Sequence, residues 1–231
     1  MYYSMYSAHK HGPTQEDSRI PLILWFQGGP GASSQYGAHT ENGPIRITKN
    51  GLKEFSSSWN IMGHTVFIDQ PLGVGFSYQD SSYPLVNTAR IAADHLLNFL
   101  YNLYRQWPAL KKSPLYITGE SFAGHYIPAF ASKIVKNASF LEFTGINLEG
   151  VAIGDGWTDP TNQINHYDSY LYSVGIVSNQ FRDTCTWFQT QAIHHMKFGD
   201  NKNVLVLRFR PLSSLTSSPT TMIPGTSTWE G

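Results

Sequence analysis

Apolar residues run almost unbroken from Ile20 to Phe26, from Thr65 to Asp69, from Leu115 to Ile117 and from Leu148 to Ile153. Each predicts a strand, and the nearly continuous run from Ile20 to Phe26 is the mark of one covered on both faces. The segments between them change period. From Thr88 to Trp107 the residues Leu96, Leu100, Leu103 and Trp107 fall on one helical face, and Pro108 stops the pattern. After Tyr126, Ile127, Phe130, Ala131, Ile134 and Val135 repeat at helical spacing and predict a helix ending near Asn137. Strand, helix, strand, helix, strand in that order predicts an α/β protein with a parallel sheet.

The remaining stretches are less patterned. Met1 to Ala8 alternates weakly and predicts an edge strand, with a turn over His9 to Ser18 around Gly12-Pro13. An irregular stretch is expected around Glu41-Asn42-Gly43-Pro44. Gln163 to Val174 and Ser178 to Met196 read as helices that could form a lid or cap. Beyond Asp200 the character changes. Val204 to Phe209 is a possible strand, but ten of the 21 residues from Pro211 to Gly231 are Ser or Thr and three are Pro, too little apolar surface to order a segment. The expected organisation is therefore a domain over residues 1–199, with a cap beginning near 157, and an atypical tail over 200–231.

Composition narrows the functions available. With 231 residues, 41% of them hydrophobic, the chain can bury one sizeable core. Lys+Arg and Asp+Glu are both 16, so no basic field draws nucleic acid or an acidic membrane surface. No run approaches the ~18 apolar residues of a membrane span. Neither nucleic acid nor membrane is expected as a partner. The first residues lack a basic start followed by an apolar core, so no secretory signal is visible, and the expectation is a cytosolic protein or one whose true start is missing. Cys185 is the only cysteine, which rules out an intrachain disulfide. Asn137-Ala138-Ser139 is an N-glycosylation acceptor for a chain that enters the secretory pathway. No cofactor and no metal is called for.

The candidate chemistry lies at two strand ends. Leu115-Tyr116-Ile117 leads into Thr118-Gly119-Glu120-Ser121-Phe122-Ala123-Gly124 and then a helix. Small residues around a serine at a strand-to-helix turn make a nucleophile elbow, which leaves the hydroxyl exposed. Ser121 is the candidate nucleophile. The strand ending at Phe26 empties into Gln27-Gly28-Gly29-Pro30-Gly31. Successive glycines there can present backbone N–H groups to a developing oxyanion. The glycines at Gly73 and Gly75 do not open a helix, so they are no dinucleotide fingerprint.

Three motifs in sequence carry a family resemblance: Trp25-Phe26-Gln27-Gly28-Gly29-Pro30-Gly31-Ala32-Ser33-Ser34, Asp69-Gln70-Pro71-Leu72-Gly73-Val74-Gly75-Phe76-Ser77-Tyr78 and Gly119-Glu120-Ser121-Phe122-Ala123-Gly124-His125-Tyr126. Together they resemble the serine carboxypeptidases, over roughly Met1 to His195. Gln27 and Ile153-Gly154-Asp155-Gly156-Trp157-Thr158-Asp159-Pro160 are most similar to the vitellogenic-like branch. The resemblance implies an α/β-hydrolase fold, with a mostly parallel central sheet, flanking helices and part of a helical cap, incomplete toward the C-terminus. It implies release of single residues from peptide or protein C-termini in a lysosomal, vacuolar or secreted setting. It assigns Ser121 as nucleophile, Gly29 and Phe122 as oxyanion-hole donors, and Gln27, Glu41 and Glu120, with Trp25 behind them, as the group that receives the substrate's terminal carboxylate. Two neighbouring carboxyls cannot both ionise comfortably, so such a pair keeps a proton that it can donate in acid.

Two departures stand out. Ala32 occupies a position where the family often has cysteine, and the family's catalytic aspartate and histidine belong to later strands that this sequence does not show. The expected triad is therefore incomplete. His125 is too tied to the elbow to act as base, His194 and His195 read as surface helix residues, and Asp155 at a strand end is a remote candidate for the acid. An acyltransferase on the same scaffold and a non-catalytic protein that holds peptide C-termini are the competing readings.

Overall fold

The computed structural model describes residues 1–9, 12, 17 and 19–199. Most of the turn expected over His9 to Ser18, the strand expected over Val204 to Phe209 and the Ser/Thr/Pro-rich tail lie outside these. The described residues form two compact units, one over Met1–Trp157 and one that begins at Thr158.

The strands of the first unit are β1 (Tyr3–Tyr6), β2 (Leu22–Phe26), β3 (Ile45–Thr48), β4 (Gly51–Glu54), β5 (His64–Ile68), β6 (Leu115–Glu120) and β7 (Leu148–Gly154). Five of them make one sheet in the order β1-β5-β2-β6-β7, while β3 and β4 form a separate hairpin. β5, β2, β6 and β7 are parallel, and β1 runs antiparallel along β5 as the edge strand the first residues suggested. Every residue of β2 and β5 is buried, as the apolar run of β2 requires, with the polar His64 and Thr65 of β5 included.

The helices of this unit are α1 (Ser34–Thr40), α2 (Ala89–Gln106), α3 (Ala123–Lys136) and α4 (Ala138–Thr144). The two-residue period of β2 decides which of them each side chain meets. Leu22, Leu24 and Phe26 join a core with Leu96, Leu100 and Leu103 of α2 and Ile127 and Phe130 of α3. Trp25 points the other way, into a smaller cluster with Phe67 of β5 and Ala38 of α1. Each large side chain so buried contributes on the order of 1.5–3 kcal/mol. Both faces of the sheet are covered. α2 begins at Thr88, whose hydroxyl accepts from the Ile91 N–H, and Pro108 opens a separate 3₁₀ turn over Pro108–Lys112.

The residues around Glu41 are irregular, as expected, but regular elements that the sequence did not suggest flank them. α1 precedes them, capped by the Ser33 side chain, and the β3–β4 hairpin follows them. Seven residues without an apolar repeat gave α1 no periodic signal. α4 was likewise not expected. In the second unit, the single helix expected over Gln163 to Val174 is broken into α5 (Pro160–Gln163), a 3₁₀ turn over Ile164–His166 and α6 (Tyr167–Ser173). α7 (Asn179–Lys197) follows the expected span. Thr186 donates from α7 to Asp168 Oδ2 of α6 at 2.5 Å, and the Asp168 N–H donates to Gln189 Oε1 at 2.8 Å. Burial opposes charge on Asp168, but hydrogen bonds from Thr186, Gln189 and Ser169 outweigh it and hold the carboxyl below its ordinary range.

Candidate active site

Parallel pairing brings the carboxyl ends of β5, β2, β6 and β7 to one edge of the sheet, where a site in such a fold is built from the loops that follow the strands. Ser121 follows β6 with φ of 56°, a left-handed conformation rare for a residue with a side chain. Its backbone is held from the β7 side, since the Ser121 N–H donates to Gly154 O at 3.0 Å and the Trp157 N–H donates to Ser121 O at 2.8 Å. The Gly124 N–H adds 2.9 Å to the same carbonyl as α3 begins. The elbow read from the glycine pattern is thus a strained turn gripped from both sides.

The glycine loop after β2 lies directly against it. A Cβ placed on Gly28 would stand 2.6 Å from Phe122 N and 2.8 Å from Ser121 Cβ, so only glycine allows this approach. Gly29 follows with φ of 111°. The two backbone N–H groups assigned by resemblance, those of Gly29 and Phe122, therefore belong to segments in contact.

The second cluster grows from strand register. β2 and β6 pair Trp25 with Thr118 and Phe26 with Gly119, so the next residues, Gln27 just past β2 and Glu120 at the end of β6, lie side by side. The Trp25 Nε1–H donates to Gln27 Oε1 at 3.0 Å. That bond commits the oxygen of the amide and turns Gln27 Nε2 toward the acids, where it donates to Glu120 Oε1 at 2.6 Å and reaches Glu41 Oε1 at a long 3.5 Å. Glu41 arrives from the C-terminal end of α1, and Arg46 Nη2 donates to its backbone carbonyl at 2.8 Å. Burial pushes the Glu41 carboxyl up, and the charges of Glu120 and then Asp155 push in the same direction. Glu41 Oε2 is buried and has no hydrogen-bond partner among the described residues. A carboxyl in this state keeps its proton into weaker acid than an ordinary one and has an atom left to bind something.

Among the described residues of the first unit, neither His125 nor Asp155 hydrogen-bonds to the Ser121 side chain. The His125 ring packs on Phe122 at 4.5 Å, and burial lowers its pKa. His194 and His195 lie on α7 of the second unit, their rings 5.9 Å apart. Asp155 follows β7 with φ of 38°. Asn137 caps the C-terminus of α3, and Cys185 is buried in α7 as a free thiol. Among the described residues no group of three or more His, Cys, Asp or Glu side chains could hold a metal ion.

Residue patterns alone missed the supports of the site. Ser34 Oγ accepts from the Gln27 N–H at 3.0 Å and fixes the start of the glycine loop. Asp69, fully buried, accepts from Ser33 Oγ at 2.6 Å and from the Phe76 N–H at 2.9 Å, tying the Gly73–Ser77 loop to the cap of α1. Its only signal was a place at the end of an apolar run, where a carboxylate must find donors or be excluded.

Known proteins resemble this chain in sequence and fold. Residues 1–208 match the serine carboxypeptidase family, slightly beyond the stretch over which the motifs resembled it. The vitellogenic carboxypeptidase of Aedes aegypti is 42% identical over 160 residues, which cover 69% of this chain and 33% of the mosquito protein. The venom serine carboxypeptidase of Apis mellifera is 38% identical over 179 residues, covering 77% of this chain and 38% of its own. Among solved structures, a prohormone-processing carboxypeptidase from Saccharomyces cerevisiae superposes with a TM-score of 0.71 at 28% identity, over 87% of this chain and 46% of that one. The chain thus spans between a third and a half of the length of these relatives. Its mostly parallel sheet and strained elbow are those of an α/β-hydrolase, and with 208 consecutive residues matched, the chain belongs to the serine carboxypeptidase family.

Proposed function

We propose that this chain carries the nucleophile and the substrate-recognition half of a serine-type carboxypeptidase that releases single residues from peptide C-termini through an acyl-enzyme. The observation that carries the reading is the Gln27–Glu120–Glu41 cluster, set next to the Ser121 elbow by β2–β6 register. A nucleophile alone is compatible with many acyl transfers; a proton-holding pair of carboxyls beside it selects substrates that end in a free carboxylate.

In this reading Ser121 Oγ attacks the last peptide carbonyl, and the N–H groups of Gly29 and Phe122 take the negative charge that forms on its oxygen. The Ser121 proton passes to a base and from there to the departing amine, leaving an acyl-serine that water hydrolyses. The base and the acid that orients it are the histidine and aspartate the family resemblance calls for. The departing residue's carboxylate is received by the proton held at Glu41 and Glu120, while Gln27 fixes the pair. The same resemblance supports a lysosomal, vacuolar or secreted setting, where the acceptor at Asn137 would carry a glycan. Among the described residues no helix is long and apolar enough to cross a membrane.

The carboxyl cluster favours this reading over an acyltransferase, whose ester donor has no terminal carboxylate to receive. The test pairs a blocked dipeptide acid with its amide at pH 5, measuring affinity by calorimetry and amino-acid release by chromatography. Preference for the acid is the expected result, with release of the terminal residue only where the base and its orienting acid are supplied with this chain. Preference without release when they are supplied would make the chain a binder of peptide C-termini, and equal affinity for acid and amide would end the proposal.

A further inference from the structure

α1 lies against the carboxylate receiver through residues with almost no side chain. Ser34, Gly37 and Ala38 are its buried positions, and Glu41 follows one turn later. At Gly37 the fit admits nothing more. A Cβ there would stand 2.5 Å from Trp25 Nε1, 2.8 Å from Gln27 Oε1 and 3.0 Å from Glu41 Oε2, where ordinary contacts are 3.4–4 Å. The first two of those atoms are the donor and acceptor of the hydrogen bond that orients Gln27. The third is the buried carboxyl oxygen without a partner.

Backbone conformation does not ask for glycine at this position. Gly37 is absent from the glycines with positive φ and sits mid-helix, where alanine is the better helix former. Nor are the atoms it would meet the loose ends of flexible side chains. Trp25 is 7% exposed and packs edge-on against Trp59 at 5.2 Å, and Gln27 is 5% exposed with its amide held at both ends. A methyl at position 37 would have to push the Trp25 indole, the Gln27 amide or the whole helix outward by several tenths of an ångström. Each of these moves opens the Trp25–Gln27 bond or withdraws Glu41.

We propose that Gly37 is a specificity-determining position for the free C-terminal carboxylate, because only a hydrogen atom there lets Trp25, Gln27 and Glu41 close into one receiver. The inference rests on the carboxypeptidase reading given above, and it adds a residue to that reading that touches no substrate. Gly37 acts by leaving room.

The experiment compares the full chain with Gly37→Ala by two readouts. The first needs no ligand: the indole Nε1–H resonance of Trp25, assigned with Trp25→Phe, and the carboxyl titration of Glu41. The second is the ratio of affinities for a blocked dipeptide acid and its amide at pH 5. Gly37→Ala is expected to move the indole resonance, to shift the Glu41 titration and to lower the acid-to-amide ratio at least tenfold with the amide affinity unchanged. Tyr36→Gly, which weakens the same helix at an exposed position and adds no atom toward the receiver, should leave the ratio alone. If Gly37→Ala does not fold, the double variant with Trp25→Phe removes the atom the methyl meets first, and recovery of folding supports the steric argument while continued failure overturns it. An unmoved indole resonance and a ratio within twofold of the parent would also overturn it. A parent that does not distinguish acid from amide would remove the carboxypeptidase reading, and the indole and Glu41 signals would still decide whether Gly37 is what lets the cluster close.

Discussion

Glu120→Gln isolates the shared proton from everything else in the site. Glu120 Oε1 accepts from Gln27 Nε2 at 2.6 Å, a short bond with a charged partner, and such bonds are worth about 1.5–3 kcal/mol. Replacing the carboxylate with an amide of the same shape weakens that bond and removes a charge that helps raise Glu41. The affinity for a blocked dipeptide acid at pH 5 should therefore fall by roughly ten- to a hundredfold. The pH dependence separates this from simple loss of a contact. In the parent, Glu41 has a raised pKa, so it stays protonated above the ordinary carboxyl range and loses the proton as pH rises through its folded value. From there on, affinity should drop about tenfold per pH unit, one proton's worth. The variant offers a neutral amide N–H to the ligand at every pH, and its profile between pH 5 and 8 should be much flatter. Calorimetric titrations at half-unit pH steps, repeated with the dipeptide amide, make the measurement. A variant that keeps the parent's slope would refute the idea that a proton held between Glu41 and Glu120 receives the ligand.

Three further expectations rest on other parts of the structure. Because Glu41 is raised in the folded chain, the native state binds more protons than the unfolded chain between the unfolded and folded pKa values, so stability falls as pH rises through that window; Glu41→Gln should raise the melting temperature at pH 8 and leave it unchanged near pH 4, and equal effects at both would show that burial does not strain this carboxyl. Gly28→Ala puts a methyl 2.6 Å from Phe122 N, and since a displacement of about 1 Å can cost on the order of a hundredfold in rate, the reaction of Ser121 with a fluorophosphonate, in a form that also carries the family's histidine and aspartate, should slow by about that factor, read by intact mass against time. Thr186→Val leaves Asp168 Oδ2 without its α7 donor and should destabilise the helical unit by about 1–3 kcal/mol in urea titrations, with the loss disappearing in acid as Asp168 takes a proton.

The order of strands and helices was legible in the sequence because it rests on local periodicity. Ile20 to Phe26 and Thr65 to Asp69 read as strands, Thr88 to Trp107 as an amphipathic helix, and Gly119, Ser121 and Gly124 wrote the elbow into six residues. α1 escaped because its inward face is Ser34, Gly37 and Ala38, chosen for how closely the helix approaches β2 and not for hydrophobic area. Gln27 and Glu120 stand 93 positions apart, and no residue pattern joins them; the motifs named both through family resemblance, but their contact exists because parallel pairing sets Phe26 beside Gly119. The buried Asp69 and the raised Glu41 are further cases, each defined by donors and charges from distant segments. Sequence by itself determined what is written at short range: which segments are strands or helices, and where a serine is held in a sharp turn. Tertiary structure alone decided which polar groups meet, because strand register and the two faces of the sheet bring together residues whose separation along the chain carries no period.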